Sequence, residues 1–280
     1  MDDRRTAVDT AAGRVAVRVI GEGTPVLLVH GIPGSAKVWE RVTADLVAAG
    51  FRVLVPDLLG FGASDRPANL DRLWLDAQAT ALSELLAASD TQPVITVGHD
   101  YGAPICVTLA QRNPTRVAGL VLAAGNLFTD TPIPPPLSAA TVPVVGGFVA
   151  RILLSAPLLR MMLQFGVGRP RVSLDPAAYL GDATQRRAIS TIFAGALREL
   201  PYRYREVEAA LNELQQPTVV VWGDRDPFFG IEQAHRAATA IPHATLLIEP
   251  DAGHFLPAER PAAFVEAVGR LHRAGRGATT

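Results

Sequence analysis

The 280-residue sequence predicts an α/β fold: a mainly parallel eight-stranded sheet flanked by helices, with an all-helical cap inserted after the sixth strand. Three observations carry that expectation. Through residues 1–127, short apolar runs bounded by glycine alternate with helical spacing, which calls for right-handed βαβ crossovers. From 128 to 214 the strand patterns stop and only helical ones remain. Strand patterns then return twice within 215–280. The expected division is therefore a core made of 1–127 and 215–280, with a cap at 128–214. An insert that follows a strand of a parallel sheet lies at the strands' carboxyl ends, where such sheets bind ligands.

Each element has its own justification. Residues 6–10 and 15–20 flank Ala11-Ala12-Gly13-Arg14 as an edge hairpin. The run 25–30, between Gly23 and Gly31, suits a strand buried on both faces. Residues 35–49 place Val38, Val42, Leu46 and Val47 at helical spacing and stop at Gly50. A strand at 51–55 leads into the glycine-bearing loop 56–65, followed by a helix at 71–89, a strand at 94–98, a helix at 101–113 and a strand at 117–123. The cap opens on a proline-rich stretch, with helices expected at 148–165, 185–200 and 203–214. Strands at 218–222 and 244–249 alternate with helices at 231–240 and 259–274, and 275–280 is expected to fray.

Composition narrows the partners. Lys plus Arg total 26 against 27 for Asp plus Glu, so a nucleic-acid surface is not expected and a small hydrophobic substrate is. The single Cys106 forms no internal disulfide and reads as buried filler in a reducing compartment. Residues 1–5 are charged and 6–20 lack an apolar core, so no secretory leader is expected there. Residues 131–150 carry no charge, but five prolines and Gly146-Gly147 argue against a spanning helix. A cytoplasmic protein without a membrane partner is expected. No His-Glu-x-x-His or Cys/His cluster is present, and the loop at Gly60 to Gly62 lacks a phosphate-binding fingerprint, so neither metal nor cofactor is expected. Oligomeric state is not readable, and a homodimer is compatible with the pattern.

The chemistry centres on Gly98-His99-Asp100-Tyr101-Gly102, between the strand 94–98 and the following helix. A strand turning at once into a helix needs small residues around the turn, and this spacing is that of a nucleophile elbow. The elbow position usually holds serine; here it holds Asp100, an anion at neutral pH. A carboxylate attacking a saturated carbon becomes an alkyl ester. The plainer alternative is an Asp capping the helix. Three further segments end at strand tips. In His30-Gly31-Ile32-Pro33-Gly34, the Ile32 N–H and the Tyr101 N–H would form an oxyanion hole. In Trp222-Gly223-Asp224-Arg225-Asp226, Asp226 lies beyond the turn and is preferred to Asp224, which reads as a brace. His254 in Gly253-His254-Phe255 follows the last strand, whereas His30 and His99 read as satisfied structural groups and His235, His243 and His272 as surface residues.

These motifs, with Asp57-Leu58-Leu59-Gly60-Phe61-Gly62-Ala63-Ser64, give nearly the whole chain a resemblance to the α/β-hydrolase superfamily. An Asp at the elbow resembles its epoxide hydrolases, haloalkane dehalogenases and fluoroacetate dehalogenases. The resemblance implies a triad of Asp100, Asp226 and His254, in which Asp100 forms an ester and His254, oriented by Asp226, activates the water that hydrolyses it. Dehalogenases of this group usually have Trp after the nucleophile and often Asn after His-Gly, where this chain has Tyr101 and Ile32. Fluoroacetate enzymes place Arg after the nucleophile. His-Gly-x-Pro and cap tyrosines resemble epoxide hydrolases, with Tyr204 preferred as acid, then Tyr202, and Tyr179 a weaker third. The expected activity is hydrolysis of a hydrophobic, uncharged epoxide to a vicinal diol. Alternatives are haloalkane dehalogenation, a non-hydrolytic epoxide-opening cyclisation, and a catalytically silent ligand-binding homologue; an ordinary esterase is the least favoured. Leu153, Leu154, Leu158, Leu159, Met161, Met162, Leu163 and Phe165 are expected to divide between cap core and pocket wall.

Overall fold

The computed structural model describes residues 3–70, 73–89, 93–133, 135–142, 145–179 and 181–277. Its sheet comprises β1 (Asp3–Thr10), β2 (Gly13–Ile20), β3 (Thr24–Val29), β4 (Phe51–Pro56), β5 (Val94–His99), β6 (Val117–Ala123), β7 (Thr218–Gly223) and β8 (Thr245–Glu249), in the order 1-2-4-3-5-6-7-8. β1 pairs antiparallel with β2 and β2 with β4; every other pair is parallel. β3 and β5 are buried along almost their whole length, as expected of apolar runs covered by helices on both faces.

Helices α1 (Glu40–Ala48), α2 (Leu75–Ala88) and α3 (Gly102–Arg112) lie within the first half of the core. Between β6 and β7 come α4 (Gly146–Leu153), α5 (Ala156–Gly166) and α6 (Ala183–Leu211). α7 (Ile231–Ala240) and α8 (Pro261–Gly277) complete the second half.

Several expected segments are corrected. The helix expected at 148–165 is two helices bent by 69°, because Ser155 is extended and Pro157 occupies the first turn of the second. The two helices expected at 185–200 and 203–214 are one, α6, which runs through Pro201. Leu200, Tyr204 and Val207 are all buried, so a packed face continuous across the proline offsets its missing N–H. The segment 35–49 opens with a 3₁₀ turn, Ala36–Trp39, before α1. The last helix restarts at Pro261 after the short turn Leu256–Glu259 and continues to Gly277, so 275–277 are helical rather than frayed. Residues 278–280 of that tail, and 71 and 72 of the helix expected at 71–89, lie outside the described residues.

Registry aligns the carboxyl ends of the strands. Val29 pairs with Gly98, Gly98 with Leu122, Ala123 with Val221 and Gly223 with Glu249. Segments following β3, β5, β6, β7 and β8 therefore emerge along one edge, beneath the helices of the cap. The loop after β4 braces this edge: the Asp57 carboxylate accepts from Ala36 N at 2.7 Å and from Ala63 N at 2.8 Å. Gly62 has φ +46° there, and a Cβ on it would fall 2.0 Å from the Asp57 Cγ. Only glycine closes that loop.

Candidate active site

Asp100 sits between β5 and α3 with φ +55°, a conformation rare for a residue with a side chain and typical of a strained elbow. Its neighbours make the turn sterically feasible. A Cβ on Gly98 would lie 2.4 Å from the Gly102 carbonyl oxygen, and one on Gly102 would lie 2.2 Å from that of Val29. Gly31 is equally constrained, since its Cβ would lie 2.3 Å from Asp100 Oδ1. The carboxylate thus fills space that only glycine leaves open.

Ile32 N donates to Asp100 Oδ1 at 2.7 Å, and the neighbouring Tyr101 amide also lies against the carboxylate and favours its charged form. The two amides are therefore aimed at one oxygen-bearing group, the arrangement of an oxyanion hole. On the other side, His254 Nε2 stands 3.6 Å from Asp100 Oδ2. His254 Nδ1 donates to Asp226 Oδ2 at 2.9 Å, and Asp226 Oδ1 accepts from Phe228 N at 2.8 Å and Phe229 N at 3.0 Å. Asp226 is fixed through both oxygens, so it holds the ring with Nε2 toward Asp100. Asp224 is exposed and its amide donates to Glu249.

Burial raises the Asp100 carboxyl above the ordinary carboxylate range, although His254 and the two amides pull it back. For His254, burial disfavours the charged ring, but Asp226, Asp100 and Glu259 together outweigh it and raise its pKa from 6.5. Neighbouring histidines are held neutral. His99 is pushed down to about 3, first by burial and then by His254, and its Nε2 donates to the His254 carbonyl at 2.8 Å. His30 is buried, with its pKa lowered; Nδ1 donates to Gly31 O while Nε2 accepts from Leu58 N. Both brace loops of the site through their ring nitrogens.

The cavity over Asp100 and His254 has a volume of about 110 Å³. Its wall is mostly apolar, with Ile133, Leu154, Met162, Phe193, Leu200 and Phe228 among the lining groups. Leu159 and Leu163 are buried, whereas Met161 and Phe165 face outward. Of the tyrosines, Tyr204 lines the cavity and is 4% exposed, its pKa raised by burial and by the proximity of Tyr101 and Asp100. Tyr202 is 66% exposed and is corrected to a surface residue. Two residues along a helix turn by about 200°, so Tyr202 and Tyr204 cannot share a face. Tyr179 is corrected as well: it packs edge-on against Phe255 and lines a separate cavity between the cap and the β1–β2 edge. The Tyr101 ring borders the reaction cavity, while its hydroxyl donates to the Leu73 carbonyl at 3.4 Å.

Two residues escaped the sequence reading. Asn126 follows β6, lines the cavity and is buried; its Oδ1 accepts from Phe128 N at 3.2 Å. A polar residue just past a strand's carboxyl end was the available signal. Glu259 is buried beneath the His254 loop and accepts from Gly168 N, Gly253 N and Phe255 N. Nothing in local sequence marks it, because its partners are backbone amides, two from the loop just before it and one, that of Gly168, from a distant segment. Among the described residues, no group of three or more His, Cys, Asp or Glu is arranged to hold a metal.

The profile of the α/β hydrolase fold family matches residues 24–261. The chain belongs to that family. A protein of Mycobacterium tuberculosis described as uncharacterised is 31% identical over 272 residues, 92% of this chain and 78% of the relative. Haloalkane dehalogenase 2 of the same organism is 29% identical over 284 residues, 93% of each chain. A solved epoxide hydrolase superposes with a TM-score of 0.78 at 21% identity, covering 98% of this chain and 99% of the other; that likeness shows the α/β-hydrolase fold alone. This is thus an α/β hydrolase with dehalogenase and epoxide hydrolase neighbours.

Proposed function

We propose that this α/β hydrolase opens a small hydrophobic epoxide through an ester on Asp100 and releases a vicinal diol. The observation that carries the reading is the Asp100 carboxylate itself, with Oδ1 against the Ile32 amide and Oδ2 facing His254 and the cavity. Oδ2 attacks an epoxide carbon; the C–O bond breaks, and its electron pair stays on the ring oxygen, which takes the Tyr204 phenolic proton. Oδ1 becomes the ester carbonyl. A water then attacks Asp100 Cγ as His254 Nε2 removes its proton, and the Ile32 and Tyr101 amides hold the negative Oδ1. Collapse leaves Asp100 as the carboxylic acid, the departing alkoxide takes the proton from His254, and the acid's remaining proton returns to the Tyr204 phenolate, which restores both groups. Esterification also cancels the Asp100 charge, one of those that hold the proton on His254, so the ring becomes the base when a base is needed.

Epoxide opening is favoured over halide release by the donors in the cavity. The chain's three tryptophans are Trp39, Trp74 and Trp222, and none lines it. A haloalkane dehalogenase is the second reading, supported by the mycobacterial relative's name and by Asn126, whose amide nitrogen could face a leaving halide.

The deciding experiment uses His254→Ala, which should stall ester hydrolysis. Intact mass is recorded after exposure to an aryl epoxide and, separately, to a bromoalkane. The expected result is an adduct weighing the whole epoxide, absent when Asp100→Asn is added. An adduct equal to the bromoalkane minus hydrogen bromide, with none from the epoxide, would transfer the assignment to dehalogenation. No adduct from either would remove the covalent route.

The pH profile gives an independent check. Neutral His254 is the competent base, so ester hydrolysis falls as pH drops through the pKa of the ring. Asp226 is the strongest group raising that pKa. Asp226→Asn should therefore move the acid limb of kcat to lower pH, besides lowering its plateau, and an unmoved limb would mean that another group titrates.

A further inference from the structure

We propose that the bent helix pair α4–α5 docks this protein on an anionic phospholipid surface, lying in the interface rather than crossing it. Both helices bury one side against the protein: Gly146 and Ala150 on α4, and Leu159, Leu163 and Gly166 on α5. Each turns a spaced apolar stripe away from it. Val145, Phe148 and Ile152 stand at i, i+3 and i+7, as do Leu158, Met161 and Phe165. Phe148, Met161 and Phe165 are 63%, 61% and 65% exposed. These side chains belong to the small set of large hydrophobic groups left exposed among the described residues, most of which fall between residues 142 and 165. Such clustering marks an interaction surface, unlike scattered exposed side chains.

Charge selects the occupant. From residue 131 to 174 the chain holds Arg151, Arg160, Arg169 and Arg171 and no Lys, Asp or Glu, although the whole chain carries a net charge of −1. Among the described residues, the side chains of Arg151, Arg160 and Arg171 make no ion pair. Apolar groups flanked by unpaired arginines match a bilayer surface carrying anionic headgroups. A second copy of the chain would fit poorly, because a two-fold contact through these two helices brings Arg151 and Arg160 of each copy together with no carboxylate in either helix. Neither helix is long enough to cross a membrane by itself. The helices have 8 and 11 residues and meet at 69°, spanning about 12 and 17 Å against a hydrocarbon core of about 30 Å. The absence of a spanning helix, read from the prolines of this region, thus does not remove a membrane partner.

The position of the pair also suits delivery of an apolar compound. Leu154 and Met162, from the same two-helix unit, line the reaction cavity, and Phe165 touches Phe228 of its wall with ring centroids 6.0 Å apart. The docking itself does not depend on which reaction occurs there.

Flotation of the full chain with vesicles of phosphatidylcholine, alone or mixed with phosphatidylglycerol, tests the proposal. The wild type should float with the mixed vesicles and not with the neutral ones. Phe148→Ser with Met161→Ser, and separately Arg151→Glu with Arg160→Glu, should each lower the partition coefficient by at least about tenfold. Circular dichroism and melting temperature should be unchanged in both, which separates lost docking from lost folding. No flotation of the wild type would overturn the proposal. So would binding lost only in the arginine variant, which would indicate a simple polyanion contact. A concentration-dependent dimer that the Phe148→Ser, Met161→Ser variant dissociates would instead assign the face to a second copy.

Discussion

Asp100→Asn is expected to lower turnover of an aryl epoxide by about 10⁴-fold or more while leaving the chain folded. The amide has the shape of the carboxylate and retains an oxygen for the Ile32 N–H, which now donates to Asp100 Oδ1 at 2.7 Å. Asparagine also tolerates the φ of +55° at the elbow better than most residues do. What it lacks is the anion. A neutral amide attacks a strained carbon poorly, and it leaves His254 without one of the charges that raise its pKa. Chemistry is therefore removed while geometry is kept. The measurement is initial rate on the epoxide together with a thermal melt. A folded variant within tenfold of the wild type would mean that His254 activates water directly on the substrate, with no ester formed.

The legibility of this site follows from where each residue does its work. Asp100, Asp226 and His254 sit in tight turns at strand ends, and those turns impose glycines that a sequence displays: Gly98 and Gly102, Gly223, and Gly253. Their convergence needs only strand order, which the alternating pattern implies. The cap is different. Tyr202 and Tyr204 sit on one helix, and choosing between them requires the helix phase relative to the core, which packing sets and local pattern does not. Pro201 compounded the difficulty, since a proline between two helical patterns reads as a break, whereas α6 continues through it. The bend at Ser155 was hidden by an apolar run that fits one helix or two. Asn126 and Glu259 were missed for another reason: their roles are defined by contacts with backbone amides, and every residue has a backbone.

Glu259 gives the largest stability effect. Its Oε2 accepts from Gly168 N at 2.7 Å and Gly253 N at 2.9 Å, and its Oε1 from Phe255 N at 3.0 Å. One buried carboxylate thereby ties the end of the α5 segment to the loop that carries His254. The same two segments meet through His254 N, which donates to Gly166 O at 2.8 Å. The backbones are pressed together: a Cβ on Gly253 would lie 2.1 Å from the Gly166 oxygen, and one on Gly168 would lie 2.1 Å from that of Asp251. Glu259→Ala leaves three buried amides without their acceptor. At about 1–3 kcal/mol for each unsatisfied group, offset partly by relaxation, a destabilisation of about 3–5 kcal/mol is expected in urea unfolding at neutral pH. Glu259→Gln keeps one accepting oxygen and should lose less, which distinguishes lost hydrogen bonds from lost volume. Activity should fall in both variants through kcat more than through KM, because the clamp positions the base and not the cavity wall. A change below about 1 kcal/mol in the alanine variant would show that the amides are satisfied without the carboxylate. The His254 loop would then owe its place to the glycine packing, to its backbone bonds with Gly166 and His99, and to Asp226.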